Sequence, residues 1–201
     1  MDIPLSEEEK IKILNSKDLY GIMKKILLRE QKIDQDREHF WVVGLDNANR
    51  ILFIEMISMG TVNQALVKPM EVFSLALQRR AVNIILCHNH PSGELKPSAD
   101  DRDITDRLIQ VGIIVDLPVY DHLLISLHSF LSFEDIGLME ELGKSLKYVP
   151  PYQQAERIRE QAAAIVKKRM EQVARRLKRN GVDAVTIAES TGLSLREGEL
   201  L

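Results

Sequence analysis

Apolar and polar residues alternate with helical and strand periods along most of the chain. A polar lead-in over residues 1–35 carries Leu19, Ile22, Met23, Ile26 and Leu27 at spacings of one to four, which predicts one amphipathic helix with Ser16 as its candidate N-cap. Glu38 to Leu45 alternates, Asp46-Asn47-Ala48-Asn49 reads as a turn, and Ile51 to Ile57 forms a second run, so a β-hairpin is expected. Pro69 suits the first turn of a helix that carries Val72, Phe73, Ala76 and Leu77 and ends at Gln78-Arg79-Arg80. Ala81 to Leu86 is a mostly apolar run that predicts a buried strand, closed by a turn at Pro91 and Gly93. Pro97-Ser98 opens another helix, with Ile104, Leu108 and Val111 on one face and a stop at Gly112. Two short runs, Leu117 to Tyr120 and Leu123 to Ser126, complete a pattern of strands alternating with helices, hence an α/β sheet covered by helices.

The chemistry concentrates where the buried strand ends, at Cys87-His88-Asn89-His90-Pro91-Ser92-Gly93. Period-two geometry directs His88 and His90 to one face about 6.6 Å apart, close enough to converge on one ion. Cys87 points to the opposite face as a packing residue. Asp101, in the first turn of the following helix, returns a carboxylate to the same place. Two neutral imidazoles and one carboxylate suit zinc, with the fourth tetrahedral position left for a water whose pKa falls to about 7. An open position indicates catalysis, and a further carboxylate must then carry the proton. Ser98-Ala99-Asp100-Asp101 also fits a capping box, in which Ser98 and Asp101 serve the helix end, so cap and ligand roles compete for these side chains.

The spacing of His88, His90, Ser98 and Asp101, His-x-His-Pro followed after seven residues by Ser-x-x-Asp, resembles the JAMM motif of the JAB/MPN metalloproteases. The fuller HNHPSG with PS-x-x-D is similar to their RadC-like branch. The likeness extends over roughly residues 16 to 136, including Glu38-His39-Phe40-Trp41-Val42, Ser58-Met59-Gly60-Thr61-Val62-Asn63 and Leu117-Pro118-Val119-Tyr120-Asp121-His122. It implies a three-layer α/β/α domain with a mixed sheet, similar to the JAMM and cytidine-deaminase-like fold. It also implies Glu38 as the catalytic glutamate, Ser98 as hydrogen-bond donor to a developing oxyanion, and one zinc per chain held by His88, His90 and Asp101. RadC-like sequences usually carry Arg where this chain has Met70, before Glu71, which bears on substrate contact and not on the metal. Of the other histidines, His39 reads as structural or exposed, His122 as a hydrogen-bonded core residue, and His128 as exposed.

Composition changes the picture mainly at the C-terminus. The 201 residues, 45% hydrophobic and 28% charged, suffice for one well-buried domain and an appendage, and the net charge of -3 gives no global pull toward nucleic acid. The one cysteine excludes internal disulfides and fits a reducing compartment. With no long apolar run and the acidic start Asp2, Glu7, Glu8, Glu9, the expectation is a cytoplasmic protein with no membrane partner. After Pro150-Pro151, residues 156–179 form a helical pattern with nine Lys or Arg against three Glu, a net of +6 that leaves -9 for the remainder. Asn180-Gly181 ends that helix, and Val185 to Ser194 reads as a short helix-turn-helix-like end weakened by Gly198. The expected organisation is a helical lead-in over 1–35, a RadC-like JAB/MPN metal-binding domain over 36–148 and a basic helical tail over 149–201.

Three function classes follow. The first is a zinc metallopeptidase of JAMM type acting on a protein or peptide substrate through peptide or isopeptide bonds. The second, a zinc nucleobase deaminase, needs His-x-Glu and Pro-Cys-x-x-Cys, which this chain lacks. The third is a DNA-associated accessory factor, related to DNA repair or mobile elements, binding nucleic acid through residues 156–196.

Overall fold

The computed structural model describes residues 3, 12–60, 67–194, 196 and 197. The acidic start, Thr61-Val62-Asn63 of the family-like segment and Gly198 lie outside the described residues. The chain divides into two compact units, Met1–Tyr148 and Val149–Leu201.

In the first unit, helix α1 (Ser16–Arg29) buries Leu19, Ile22, Met23, Ile26 and Leu27, the five residues that define its apolar stripe. Each such burial is worth roughly 1.5–3 kcal/mol of transfer free energy. The cap is Asn15 and not Ser16: the Asn15 side chain accepts from the Asp18 amide at 3.0 Å, while the Ser16 hydroxyl donates to Asp135 at 2.6 Å. A short helix α2 (Lys32–Gln35) leads to strand β1 (His39–Leu45), followed by β2 (Ile51–Met59), helix α3 (Pro69–Gln78), strand β3 (Asn83–Asn89), helix α4 (Ala99–Ile114), strands β4 (Val119–Ile125) and β5 (Phe130–Ser132), and helix α5 (Leu138–Gly143).

The five strands lie in the order β2-β1-β3-β4-β5. β3 and β4 are parallel and the other pairs antiparallel, so the sheet is mixed. Strand alternation divides the core in two. Phe40, Val42, Ile84, Leu86 and Leu124 face α3, α4 and α5. Trp41, Val43, Leu45, Ile85, Cys87, Leu123 and Ile125 face α1. This is a three-layer α/β/α arrangement, and Cys87 packs on the face away from the histidines.

Two sequence expectations change. Parts of the runs at 117–120 and 123–126 join in one continuous strand, β4, because Asp121 and His122 between them are buried with hydrogen-bond partners and do not interrupt it. Helix α4 runs through Gly112 to Ile114. A Cβ on Gly112 would lie 2.6 Å from the Leu117 carbonyl oxygen, so this glycine permits a close return of the chain and does not cap the helix.

Gly44 has a similar role in β1, where an added Cβ would meet the Phe53 ring at 2.0 Å. Gly44→Ala should therefore destabilise the fold by about 1–3 kcal/mol, the usual cost of overpacking. Chemical denaturation measures this, and an unchanged midpoint would mean that the ring moves aside at no cost.

In the second unit, the 29-residue helix α6 (Pro151–Arg179) starts with Pro151 at its first turn and is followed by α7 (Ala184–Thr191). Gly181 (φ 80) and Gly192 (φ 70) supply the left-handed turns after the two helices. Ala174, Ile187 and Leu193 form a small core, with Met170, Leu177 and Val182 against it. No helix among the described residues is long and apolar enough to cross a membrane.

Candidate metal centre

The site sits where β3 emerges from the sheet and α4 begins. β3 carries Ile84 and Leu86 into the α4 side of the core, and continued alternation sends His88 and His90 to that same side. The Gly93 amide donates to the His90 carbonyl at 2.9 Å, with Gly93 at φ 77, and this turn directs the chain to the α4 N-terminus. Ser98 caps α4 in a full capping box: its hydroxyl oxygen accepts from the Asp101 amide at 3.0 Å, and the Asp101 Oδ2 accepts from the Ser98 amide at 2.7 Å. Cap and ligand roles do not compete. The capping bond fixes the Asp101 carboxylate so that Oδ1 lies 3.1 Å from His88 Nε2 and Oδ2 3.5 Å from His90 Nε2.

His88 Nε2 and His90 Nε2 are 2.8 Å apart. Donors about 2.0–2.1 Å from a tetrahedral zinc would be separated by roughly 3.3 Å. The 2.8 Å between the two nitrogens and the 3.1 and 3.5 Å from them to the two Asp101 oxygens bracket that value, so two imidazoles and one carboxylate are close enough together to hold a metal. Each donor also has an outer partner. His90 Nδ1 donates to the Glu94 carbonyl at 2.6 Å, leaving Nε2 to face the cluster. His88 Nδ1 meets His122 Nε2 at 2.8 Å, and His122 Nδ1 meets the Thr105 hydroxyl at 2.7 Å. Phe40 stacks on His88 with ring centroids 6.0 Å apart, and Phe133 packs against His122.

Glu38 reaches the site through strand register. β1 and β3 pair as Phe40↔His88, and continuing that antiparallel register sets Glu38 beside His90. Here Asn89 extends the ladder with its side chain: Oδ1 accepts from the His39 amide at 2.7 Å, and Nδ2 donates to the Arg37 carbonyl at 2.9 Å. The Glu38 carbonyl accepts from the Gly60 amide at 2.9 Å, so both peptides around Glu38 are held. Glu38 and Ser98 line one cleft of about 780 Å³ together with Asp36, His90, Ser92, Glu94 and Lys96. His39 turns away, buried and stacked on Trp41, and His128 is exposed. Asn89 and Thr105 escaped the sequence reading. A buried Asn in an apolar strand and a Thr four residues after Asp101 on the same helix face were the available signals.

Burial raises the Glu38 carboxyl above its ordinary range; the nearby His90 opposes this and the Asp101 charge reinforces it. Burial also works against ionisation of Asp101, but the His88 and His90 rings beside it and the hydrogen bond from Ser98 outweigh it and hold that carboxyl well below the usual range. Desolvation pushes His88 down and His122 well down, whereas the hydrogen bond to Asp101 lifts His90. A histidine held below its unfolded value contributes stability that is present above that value, near pH 6.5, and lost as the pH falls. His88 and His122 act in that direction and His90 in the other. The metal-free protein should therefore lose thermal stability between pH 7 and 5, each one-proton difference being worth up to about 1.4 kcal/mol per pH unit. His122→Gln should flatten the slope; a melting temperature that rises on acidification would contradict these protonation states.

Fold and donor set together define an α/β/α domain with three residues at the end of a central strand that could hold a metal ion. A model of the RadC-like JAB domain matches residues 13–138, and the chain belongs to that family. Relatives include UPF0758 proteins of Desulforudis audaxviator, 44% identical over 112 residues (56% of this chain, 49% of the relative), and of Geotalea uraniireducens, 47% identical over 106 residues (53% and 46%). A third, from Flavobacterium johnsoniae, is 39% identical over 127 residues (63% and 53%). The chain spans about half the length of the curated relatives it matches.

Proposed function

We propose that this chain is a zinc-dependent metallohydrolase that cleaves peptide or isopeptide bonds, with His88, His90 and Asp101 as ligands and Glu38 as general acid and base. The observation that carries this reading is the convergence of three donor atoms beside a cleft that also holds an anchored glutamate and a serine hydroxyl. Zinc at the cluster would supply Lewis acidity and a water activated for attack near neutral pH. Glu38 would take the proton from that water and return it to the departing amine, a task suited to a carboxyl raised by burial. The Ser98 hydroxyl oxygen accepts from the Asp101 amide, so its hydrogen remains to be donated to a substrate carbonyl oxygen as negative charge develops there. Exposure of zinc-loaded protein to a peptide library and to lysine isopeptide conjugates, read by mass spectrometry, should reveal cleavage that a chelator abolishes and added zinc restores. Intact substrates in the presence of fully loaded protein would count against a peptidase.

A second reading, nucleic-acid association through the tail, draws on one observation in α6. The helical period puts Lys168, Arg175 and Arg179 on one exposed stripe, on the side away from Met170, Ala174 and Leu177, which pack with α7. If that stripe meets phosphates, changing the three residues to Gln should reduce the slope of log affinity against log salt by up to about 0.9 per lost contact on duplex DNA. Unchanged affinity and slope in a fluorescence titration would leave the stripe as a solvated face. The cytoplasmic location expected from composition stays part of this proposal.

A further inference from the structure

The two side chains behind His88, from different elements and both wholly buried, form a chain of hydrogen bonds that ends on the main chain of another ligand. The Thr105 hydroxyl is 2.5 Å from the Asp101 carbonyl oxygen and 2.7 Å from His122 Nδ1, and His122 Nε2 is 2.8 Å from His88 Nδ1. A carbonyl oxygen only accepts, so the single hydroxyl proton of Thr105 is committed to Asp101. Thr105 must then accept from His122, which puts a proton on His122 Nδ1. A doubly protonated imidazole here would be a fully buried cation, which desolvation strongly disfavours, so His122 Nε2 carries a lone pair. His88 must donate to it, and its one proton resides on Nδ1.

We infer that His122 and Thr105 are positioning residues that set the proton pattern of the metal cluster: a one-way chain of hydrogen bonds holds His88 as the Nδ1–H tautomer and presents its Nε2, bare of hydrogen, to the ion. The direction of the chain is dictated from the carbonyl end by the protein alone, so the ligand is prepared before metal arrives. It also ties the ring of one ligand to the backbone of another, since Thr105 and Asp101 lie one turn apart on α4. The inference rests on the reading of His88, His90 and Asp101 as metal ligands, but the tautomer it requires belongs to the metal-free protein as well.

Two substitutions at one position isolate the hydroxyl. Thr105→Val keeps shape and volume but offers no acceptor to His122, whereas Thr105→Ser keeps the hydroxyl. Zinc affinity, measured by competition with a chromophoric chelator, should fall about 10- to 100-fold in Thr105→Val, the scale for losing an outer partner of a ligand, and stay close to wild type in Thr105→Ser. Nitrogen-15 NMR of the metal-free wild type should show His88 and His122 each protonated at Nδ1 only, and His122→Gln, whose amide can both accept and donate, should retain the His88 tautomer. Equal affinity in Thr105→Val and wild type, or a His88 proton on Nε2, would overturn the inference. A wild type that binds no zinc yet shows the expected tautomers would sink the metal reading while leaving the hydrogen-bond chain intact.

Discussion

Glu38→Gln is expected to abolish most turnover, by roughly 10²-fold or more, without loss of metal or fold. The amide is nearly isosteric with the carboxylate, and the groups that hold this segment are main-chain atoms of Arg37, Glu38 and His39, which the substitution does not touch. All three donor atoms of the cluster lie on other residues. What disappears is a carboxyl that can gain and lose a proton beside the cleft. Metal content by mass spectrometry and the rate on a substrate found in the library assay separate the outcomes. Loss of zinc would make Glu38 a ligand, and retained zinc with undiminished rate would assign proton transfer to another group.

Asp101→Asn should weaken zinc binding far more than Asp100→Asn. Asp101 places its two carboxylate oxygens 3.1 and 3.5 Å from His88 and His90 and receives the Ser98 amide, whereas its neighbour is exposed one position round the helix. An amide brings no negative charge to the ion and exposes its NH2 to two imidazoles. The loss should exceed the 10- to 100-fold effect of disturbing an outer partner, because a donor is altered directly. Competition with a chelator reads both variants, and equal losses would mean that the α4 register does not serve the site.

The core of the site was legible because its three donors lie between residues 88 and 101, where strand alternation and one helix start fix their directions. Glu38 was not legible from spacing alone: its approach to His90 depends on the β1–β3 register, and only the resemblance marked it. His122 and Thr105 were harder still. His122 meets His88 across the parallel β3–β4 pair and Thr105 meets His122 from α4, and apart from the spacing of Thr105 from Asp101 nothing in a local window reports these tertiary partners. His122 reads from the sequence as a hydrogen-bonded core residue and is one, whereas the partners that bury Asp121 inside β4, the Ser132 hydroxyl and the Glu134 amide, lie beyond any local window. Asn15 displaced Ser16 as the α1 cap for a similar reason, because a tertiary bond to Asp135 occupies the serine.

The central claim, one zinc ion at the end of β3, is tested most directly by anomalous diffraction at the zinc edge from crystals of protein produced in zinc-replete medium. The account predicts a single peak within bonding reach of His88 Nε2, His90 Nε2 and the Asp101 carboxylate. A map without that peak, or with its only peak elsewhere on the chain, would contradict it.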